Sequence, residues 1–496
     1  MSDPSPYDPH GIGAPSESGP SQWQEAGGWT PPSAPPGWTP PAPAARRRPW
    51  FTVPLIILIA LVVIAAGAVT VWQFTRPAQD PTVVEGLAEQ PSLLWSYSLG
   101  EGVTGRPEPV GADRALVVPQ LDGRTGPVPV AMISLTDGKE LWRSEISPAG
   151  EVYVTGGQIP GTGYVYLMEH HLTDETPSVL TVRAADDGAV VATRELTEVV
   201  GVSAAEGSLF LFGLERLARL DSEKLDTPLW EVDHHFSEWG DGGLHVTVRG
   251  GYALLTFGMA DTTFSTLGTV VSAHALADGS TPPWQPTEGG TMLITDEGRV
   301  LMTHNEDGAQ LTGLDEEGAD QWTIDVKPGL AYANGNALLV GEYSQDFAET
   351  EWQRYDPATG RALWASPLST SPSAGLADLG DVLVATNPEA PELIMVDPQT
   401  GVAGVQFRGE GHQTAYFEGE DKVFVASAKE PSEMVEPDGS VNSPNGIRLQ
   451  AVPTDGNPGL VQPDWTLELP GAIRVLQCGS HLIVVDTGSG SINGIG

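Results

Sequence analysis

The sequence predicts an all-β fold of the β-propeller class, with four-stranded blades that follow a disordered tail and one transmembrane helix. Three observations carry this prediction. A turn that leads into a tryptophan-bearing strand recurs along the chain, short β-rich runs alternate with Gly, Asp and Pro from about Ser92 onward, and no long helical period appears there. Units this short cannot bury their hydrophobic faces alone, so neighbouring units must pack against one another around an axis.

The best-preserved copy of the repeat spans residues 355–364. Asp356 can hydrogen-bond to its own backbone two residues on, Pro357 sets φ at the next turn position, and Gly360 supplies φ > 0. Trp364 follows on a strand that is too short to be stable alone. Its ring is therefore expected to be buried against a neighbouring unit.

Other copies of this unit occur along the chain. Their tryptophans are Trp142, Trp230, Trp284, Trp322 and Trp465. Two further copies keep the turn but carry Ala192 and Val405 where the tryptophan belongs. Trp95 is an isolated copy of the last strand alone. The repeat length falls in the range of propeller blades rather than helical solenoids.

The ring must also close. Residues 472–476 and 481–485 are inner-type strands that no tryptophan strand follows. Pairing them with the Trp95 strand would seal the ring with backbone hydrogen bonds and remove two exposed edges. The literal count is nine blades, but eight is expected as the commoner closure, within a range of seven to nine. The Ala192 and Val405 units are the weakest candidates for a true blade.

Composition limits the classes of partner. The net charge of −41 repels phosphate backbones, so no nucleic-acid partner is expected. Such a surface could attract cations or basic partners, or it could serve solubility alone. The single cysteine, Cys478, excludes an intrachain disulfide and is expected to be a small buried hydrophobe.

Residues 1–49 form a tail rich in Pro, Gly and Trp, with too few aliphatic side chains to offset the entropy of ordering. The sequence therefore predicts disorder, with polyproline-II character around the prolines. The motif of residues 28–32 recurs at 37–41. It is either a docking motif for a groove-bearing cytoplasmic partner or part of a low-complexity tail.

Residues 50–73 are predicted to form a transmembrane helix. The uncharged run within them has the length of roughly 20 residues that a helix needs to cross a bilayer core, and Trp50 and Trp72 flank it. Arg46–Arg48 precede the run, so the positive-inside rule places the N-terminus in the cytoplasm. A cleaved signal peptide is the alternative.

The remaining boundaries follow from this topology. Residues 74–91 are expected to be a linker with Pro77, Pro81 and Pro91 marking its limits. Residues 92–496 are expected to form the propeller. The predicted localisation is a single-pass protein of the cell membrane, with the tail in the cytoplasm and the propeller outside it.

Candidate metal ligands and catalytic motifs are weak. The pairs His170–His171 and His234–His235 point to opposite faces of a strand and cannot chelate together, and His245 completes no zinc spacing. The acidic turn 315–320 lacks the ligand order of an EF-hand and reads as a solvated β-turn. No nucleophile elbow, P-loop or dinucleotide fingerprint appears. We therefore predict no catalytic residue and no metal ligand.

The pattern from Asp356 through Thr359 and Gly360 to Trp364 resembles the tryptophan-docking repeat of the pyrroloquinoline-quinone-like (quinoprotein-type) β-propellers. The resemblance covers roughly residues 92–496, and the other copies match only in part. It implies structural roles between blades for the docking residues Trp95, Trp142, Trp230, Trp284, Trp322, Asp356, Thr359, Gly360, Trp364 and Trp465. The tail, basic stretch and single span also resemble actinobacterial cell-envelope proteins.

The resemblance implies two kinds of function. Quinoprotein dehydrogenases hold the quinone between a Trp and a vicinal cysteine disulfide, beside a calcium ion, whereas other members are non-catalytic scaffolds. With one cysteine, this chain lacks the disulfide platform. We therefore predict a non-catalytic binding or scaffold module of the cell envelope, without cofactor, that engages an envelope protein or peptide on a propeller face.

Two alternatives remain open. One is an oxidoreductase of alcohols or sugars that uses pyrroloquinoline quinone with calcium. The other is a sensor ectodomain that signals through a partner, because no output domain is visible in the chain.

Overall fold

A computed structural model describes the following residues: 84, 87, 91–100, 103–119, 127–146, 152–171, 176–196, 201–213, 216–233, 244–257, 269–284, 290–295, 298–305, 308–327, 329–334, 337–343, 350–370, 376–378, 383–387, 392–419, 421–430, 441–443, 445–454, 459–471 and 473–496. They belong to one compact unit, Trp72–Gly496. The predicted tail (1–49) and membrane span (50–73) lie outside the described residues. Within the described ranges, no helix has the length and apolarity to cross a membrane.

The described residues form nine β-sheets that follow one another in chain order and build a β-propeller of nine blades. The expectation of eight blades is wrong. Each of the two suspect repeats is a blade with four antiparallel strands, and Ala192 and Val405 lie on the fourth strand of their blades. A blade is defined by its strand pairing and turns, so a small side chain at the tryptophan position does not remove it.

Blades 1 to 4 contain strands in simple antiparallel order, and three strands of blade 4 are described. Blade 1 is β2 (Gly105–Val110), β3 (Arg114–Pro119), β4 (Val128–Ser134) and β5 (Glu140–Ile146). Blade 2 is β6 (Val152–Ile159), β7 (Tyr164–His171), β8 (Ser178–Ala184) and β9 (Val190–Leu196). Blade 3 is β10 (Gly201–Ala205), β11 (Ser208–Phe212), β12 (Arg216–Asp221) and β13 (Lys224–Asp233). Blade 4 is β14 (Leu244–Arg249), β15 (Tyr252–Phe257) and β16 (Thr269–Ala275).

Blades 5 to 7 repeat this order, and blade 7 gains a fifth, parallel strand, β33. Blade 5 is β17 (Gly290–Ile294), β18 (Arg299–Asn305), β19 (Gly308–Leu314) and β20 (Asp320–Val326). Blade 6 is β21 (Gly329–Asn334), β22 (Ala337–Tyr343), β23 (Thr350–Tyr355) and β24 (Ala362–Thr370). Blade 7 is β25 (Leu376–Asp378), β26 (Leu383–Asn387), β27 (Glu392–Val396), β28 (Ala403–Arg408) and β33 (Gly459–Leu460).

Blades 8 and 9 complete the ring, and the short strand β31 pairs with the first strand of blade 9. Blade 8 is β29 (His412–Glu418), β30 (Lys422–Ala428), β32 (Ile447–Pro453) and β34 (Trp465–Leu469). Blade 9 is β31 (Val441–Ser443), β35 (Ile473–Cys478), β36 (His481–Asp486), β37 (Ile492–Ile495) and β1 (Leu93–Tyr97).

Strand β1 closes the ring, as the isolated Trp95 strand predicts. It pairs antiparallel with β37, with Leu93 opposite Ile495 and Tyr97 opposite Ile492. Just outside this ladder, the N–H of Ser92 donates to the carbonyl of Gly496 at 3.0 Å, and the reverse bond measures 3.1 Å. The first and last strands of the unit thus share one blade and leave no open edge between them.

The hydrophobic core lies between blades rather than inside one layer. Between blades 1 and 2, Val118 and Met132 pack with Val154 and Leu167, and all four side chains are buried. Because each sheet packs on both faces, its middle strands read as continuous apolar runs, such as residues 115–118.

Part of the predicted linker (74–91) also packs on the propeller. The N–H of Val84 donates to the carbonyl of Glu418 at 2.7 Å. The Val84 side chain is buried in a core cluster of blades 8 and 9, with Leu87 packed against it. This stretch is therefore attached to blade 8 at Val84.

Candidate functional site

The docking residues proposed from the sequence lie at the outer part of the seams between blades. The indole N–H of Trp95, Trp142, Trp230, Trp322 and Trp364 donates to a backbone carbonyl of the next blade, at 2.8–3.2 Å. Each ring also covers a turn glycine of that next blade. A Cβ on Gly360, for example, would stand 2.5 Å from the Trp322 ring.

The best-preserved turn therefore receives the tryptophan of the preceding blade. The Asp356 carboxylate accepts the Thr359 hydroxyl at 2.7 Å and the Ala358 N–H at 2.9 Å. The Thr359 hydroxyl bond is the main reason that the pKa of Asp356 is lowered. Gly360 has φ +66° and closes the turn under Trp322.

Two of the predicted docking tryptophans make different contacts. Trp284 is buried at the seam between blades 4 and 5, where Tyr252 meets its ring edge-on and the Arg299 guanidinium lies 5.1 Å from its centroid. Trp465 is half-buried and packs against Phe424 with ring centroids 5.9 Å apart. How much any of these tryptophans stabilises the ring stays a prediction, tested below.

The first strands of the blades lie toward the axis, because adjacent first strands contact one another at β35–β2, β2–β6, β6–β10 and β10–β14. In blade 9 the short strand β31 pairs on the inner side of β35, with Asn442 opposite Arg474. On β2, Arg106 and Glu108 alternate with Pro107 and Pro109. Both prolines lack an N–H, which an edge strand tolerates when that position faces away from the ladder. Residues two apart share a face, so Arg106 and Glu108 project together.

Arg106 and Glu108 form an ion pair. The Glu108 side chain is only 19% exposed, and burial raises the pKa of its carboxyl although Arg106 acts in the opposite direction. Burial alone would lower the pKa of Arg106, but the Glu108 carboxylate and the Tyr153 hydroxyl outweigh it and the pKa is raised. The pair is a partly buried salt bridge, so removing either partner leaves a charge in a poorly solvated place.

Two tyrosines complete this cluster from blade 2. Gly157 on β6 leaves room for the Tyr166 ring to cross the inner strand, and a Cβ at Gly157 would lie 3.3 Å from the Tyr166 hydroxyl. Burial, followed by the nearby Glu108 charge, raises the pKa of Tyr166 to about 12. Tyr153 is 45% exposed and packs its ring 5.8 Å from that of His170.

Arg474 on β35 adds a second guanidinium from blade 9, close enough for its charge to oppose the rise that burial causes in the pKa of Glu108. We name Arg106, Glu108, Tyr153, Tyr166 and Arg474 the channel-side cluster. It holds two guanidinium groups and one carboxylate in a chain whose net charge is −41. Chemically it offers N–H and O–H donors to an anionic or carbonyl-bearing group that approaches along the axis.

The candidate metal ligands are not brought together. Across the described ranges, no group of three or more His, Cys, Asp or Glu side chains is placed to hold a metal ion. In the acidic turn, Asp315 accepts the N–H groups of Glu317 and Ala319 and the amide of Gln321. His234 and His235 lie outside the described residues.

The channel-side cluster does not fit pyrroloquinoline quinone with calcium. Every tryptophan that the structure describes lies on a third or outermost strand or, for Trp284, in a turn, so none offers a stacking plane at the axis. Glu108 is the cluster's one carboxylate and is paired with Arg106. Cys478 is buried.

Sequence reasoning missed the whole channel-side cluster. Its five residues come from three blades and belong to no motif. A weak signal existed at residues 105–109, where two prolines alternate with charged residues, which marks an edge strand with one polar face. Nothing local indicated that Arg474 and Tyr166 meet that face.

Comparisons with known proteins give similarity of fold at low identity. No family model matches the chain, and no curated protein matches it. BamB from Moraxella catarrhalis is 13% identical, with 82% of this chain and 99% of that chain covered and a TM-score of 0.40. The computationally designed Ika8 protein is 11% identical, with 67% and 96% covered and a TM-score of 0.37.

An enzyme is also among the similar structures. Quinohemoprotein alcohol dehydrogenase ADHIIG from Pseudomonas putida HK5 is 12% identical, with 70% of this chain and 74% of that chain covered and a TM-score of 0.34. These likenesses concern fold, and the dehydrogenase activity belongs to that protein.

Proposed function

We propose that this protein is a non-catalytic binding module of the cell envelope, whose propeller engages its ligand at the channel-side cluster. The observation that supports this most is that, within the channel-side cluster, guanidinium groups from two blades act on one partly buried carboxylate in an acidic protein. A local excess of positive charge within a negative surface favours one orientation of an approaching anionic group.

The ligand class follows from the donors. Guanidinium groups bind carboxylates and phosphates with paired N–H donors, and a site shielded from water strengthens each such bond. Tyr153, which is exposed, adds an aromatic face and a hydroxyl to the cluster. An envelope protein or peptide that presents a carboxylate side chain or C-terminus fits these groups.

The placement of the module rests on the sequence. Residues 50–73 would anchor the chain in the cytoplasmic membrane, with Arg46–Arg48 on the cytoplasmic side and the propeller outside. The anchored topology would hold the module at the membrane face of the envelope. The proposal of an uncleaved anchor is wrong if the mature protein begins after residue 72.

Site-specific photocrosslinking in native membranes tests the function. A photoreactive residue at Tyr153 should trap a discrete partner, and the same residue at Val402, which is exposed in the β27–β28 turn of blade 7, should not. Arg106→Gln should abolish the adduct at position 153. An adduct that survives Arg106→Gln, or equal adducts at both positions, would contradict the proposal.

A second measurement addresses the oxidoreductase alternative. Residues 77–496 are mixed with pyrroloquinoline quinone and calcium, and bound chromophore and dye-linked oxidation of alcohols or sugars are recorded. No stoichiometric binding is expected. Tight binding with oxidation would replace the binding-module proposal with the enzyme.

A further inference from the structure

Blade 2 lacks the tryptophan that seven of the eight other repeats carry at the equivalent position. Ala192 occupies this position on β9, opposite Val182, just as Trp142 lies opposite Met132 on blade 1. Both residues precede a buried aliphatic side chain by four positions, Leu196 and Ile146 respectively. The strand is therefore in register, and only the indole is absent.

The polar part of the missing contact is replaced. At five seams the indole N–H donates to a backbone carbonyl of the next blade. Here the Arg194 guanidinium, on the same face of β9 as Ala192, donates to the carbonyl of Leu225 on blade 3. The hydrogen bond to the next blade is thus kept, and the buried Leu225 side chain packs in the same core cluster as Ala192, which carries no ring.

A groove of about 590 Å³ lies between β9 and the β12–β13 hairpin, with Ala192 and Leu225 in its lining. The size lies in the range of small-ligand sites, roughly 300–1,000 Å³. Val191 and Leu229 line the groove and are 38% and 53% exposed. At the equivalent seam between blades 1 and 2 this space is filled by Trp142, which is buried.

The seam between blades 7 and 8 shows what can occupy such a gap. Val405 stands at the tryptophan position there, and the chain's own strand β33 pairs in parallel with Val405 and Gln406. The N–H of Val461 donates to the carbonyl of Gln406 at 2.8 Å, and Val405 is 3% exposed. An extended segment therefore covers an outermost strand that lacks a tryptophan. In the described part of the chain, no segment pairs with the outer edge of β9 at the blade 2–3 groove.

Charge specifies the occupant further. The hairpin side of the groove carries Asp221, Glu223 and Asp226 against Lys224. This excess of carboxylates favours a segment with basic residues. The acidic protein as a whole, at −41, favours the same sign in a partner.

We propose that the blade 2–3 groove is a second binding site, distinct from the channel-side cluster, for an extended segment of a partner protein that inserts a tryptophan flanked by lysine or arginine. The inserted indole occupies the space beside Ala192 that a docking tryptophan fills at other seams. The segment runs along the outer edge of β9, and its basic residues face Asp221 and Asp226.

Ligand-observed ¹⁹F NMR on the full-length protein tests this site, because a fluorinated peptide avoids the signal of the protein's own tryptophans. The probe is acetyl-Lys-(5-fluoro-Trp)-Lys-amide, with acetyl-Glu-(5-fluoro-Trp)-Glu-amide as the charge-reversed control. Saturable broadening or shift of the lysine peptide is expected, with weaker binding of the glutamate peptide. Absence of saturable binding, or equal binding of the two peptides, overturns the proposal.

Two variants localise the site. Ala192→Trp should fill the groove, raise the melting temperature and abolish saturable binding. Val402→Trp, at an exposed turn position of blade 7, should change neither the melting temperature nor the binding. Asp226→Asn should weaken the lysine peptide about two- to fivefold, as expected for an exposed charge pair. Unchanged binding in both Ala192→Trp and Asp226→Asn overturns the proposal.

Self-association of the protein without peptide is measured separately. If the protein self-associates and Ala192→Trp removes this association, a second copy fills the groove and the proposal is overturned.

Discussion

Arg354 and Trp364 lie opposite each other on β23 and β24, and both donate to the same carbonyl oxygen, that of Pro398 in blade 7. The indole bond measures 2.9 Å. Arg219 and Trp230 share the carbonyl of Leu276 in the same way. One carbonyl of the next blade's turn thus accepts two side-chain donors from the preceding blade.

Removing the indole should weaken the blade 6–7 seam. Trp364→Ala is expected to lower the free energy of unfolding by roughly 3–5 kcal/mol, since the ring is buried among Leu339, Leu383 and Val396. Denaturant unfolding measures the change. Leu363→Ala is the matched control, because this neighbour is 42% exposed and its loss should stay within about 0.5 kcal/mol. Equal effects of the two substitutions would show that the docking assignment is wrong.

The shared carbonyl predicts coupling between the two donors. Arg354→Met should cost about 1.5–3 kcal/mol, the usual contribution of a hydrogen bond from a charged group. Combined with Trp364→Ala, the loss should depart from the sum of the single losses by at least about 0.5 kcal/mol, because the two side chains share one acceptor. A double-mutant cycle in chemical denaturation measures this. Strict additivity would contradict the shared-acceptor arrangement as an energetic unit.

The turn glycine beneath the indole should resist substitution. Gly401 has φ +69°, and a Cβ there would stand 2.6 Å from the Trp364 ring. Gly401→Ala is expected to cost more than the roughly 1–3 kcal/mol of a left-handed non-glycine residue, because the ring must also move. Gly111→Ala is the control, since φ is +67° there but no atom lies within 4 Å. The difference in melting temperature between the two variants isolates the ring contact.

Ring closure by β1 predicts a sharp boundary for truncation. A protein that begins at residue 77 keeps β1 and should unfold cooperatively as one unit. A protein that begins at residue 98 loses β1 and exposes the edge of β37, so it should melt at lower temperature and aggregate. Calorimetry and light scattering compare them. Identical behaviour would mean that the β1–β37 ladder does not hold the ring closed.

Because His274 is buried, we expect the folded protein to lose stability in mild acid. It is 5% exposed, and burial lowers its pKa, although a hydrogen bond with the Gly279 carbonyl acts in the opposite direction. The unfolded chain, with the higher pKa of about 6.5, takes up the proton first as pH falls. Stability is therefore full at neutral pH and declines as pH falls through about 6.5 toward the lower folded value. His274→Asn should make the melting temperature less dependent on pH between about 7.5 and 5.5, and an unchanged slope would contradict this assignment.

The repeat turn shows what local sequence can predict. Asp356, Thr359 and Gly360 form their turn from contacts within four residues, so the residue types alone indicate it. The unpaired Trp95 strand indicated the closure of the ring for a related reason, because a lone strand needs a partner. The predicted number of blades was wrong because tryptophan was used as the marker of a blade. Ala192 and Val405 replace it on strands that are as well paired as the others.

By itself, the sequence determined the strand-rich repeat, its turns and the closure by β1, because each depends on short-range hydrogen bonding and a period of two along a strand. Only the tertiary structure decided that nine blades close the ring and that Arg106, Glu108, Tyr166 and Arg474 meet at its axis. It also decided that the space beside Ala192 remains as a groove. These outcomes depend on contacts between residues distant in sequence, whose positions are set by packing of neighbouring blades.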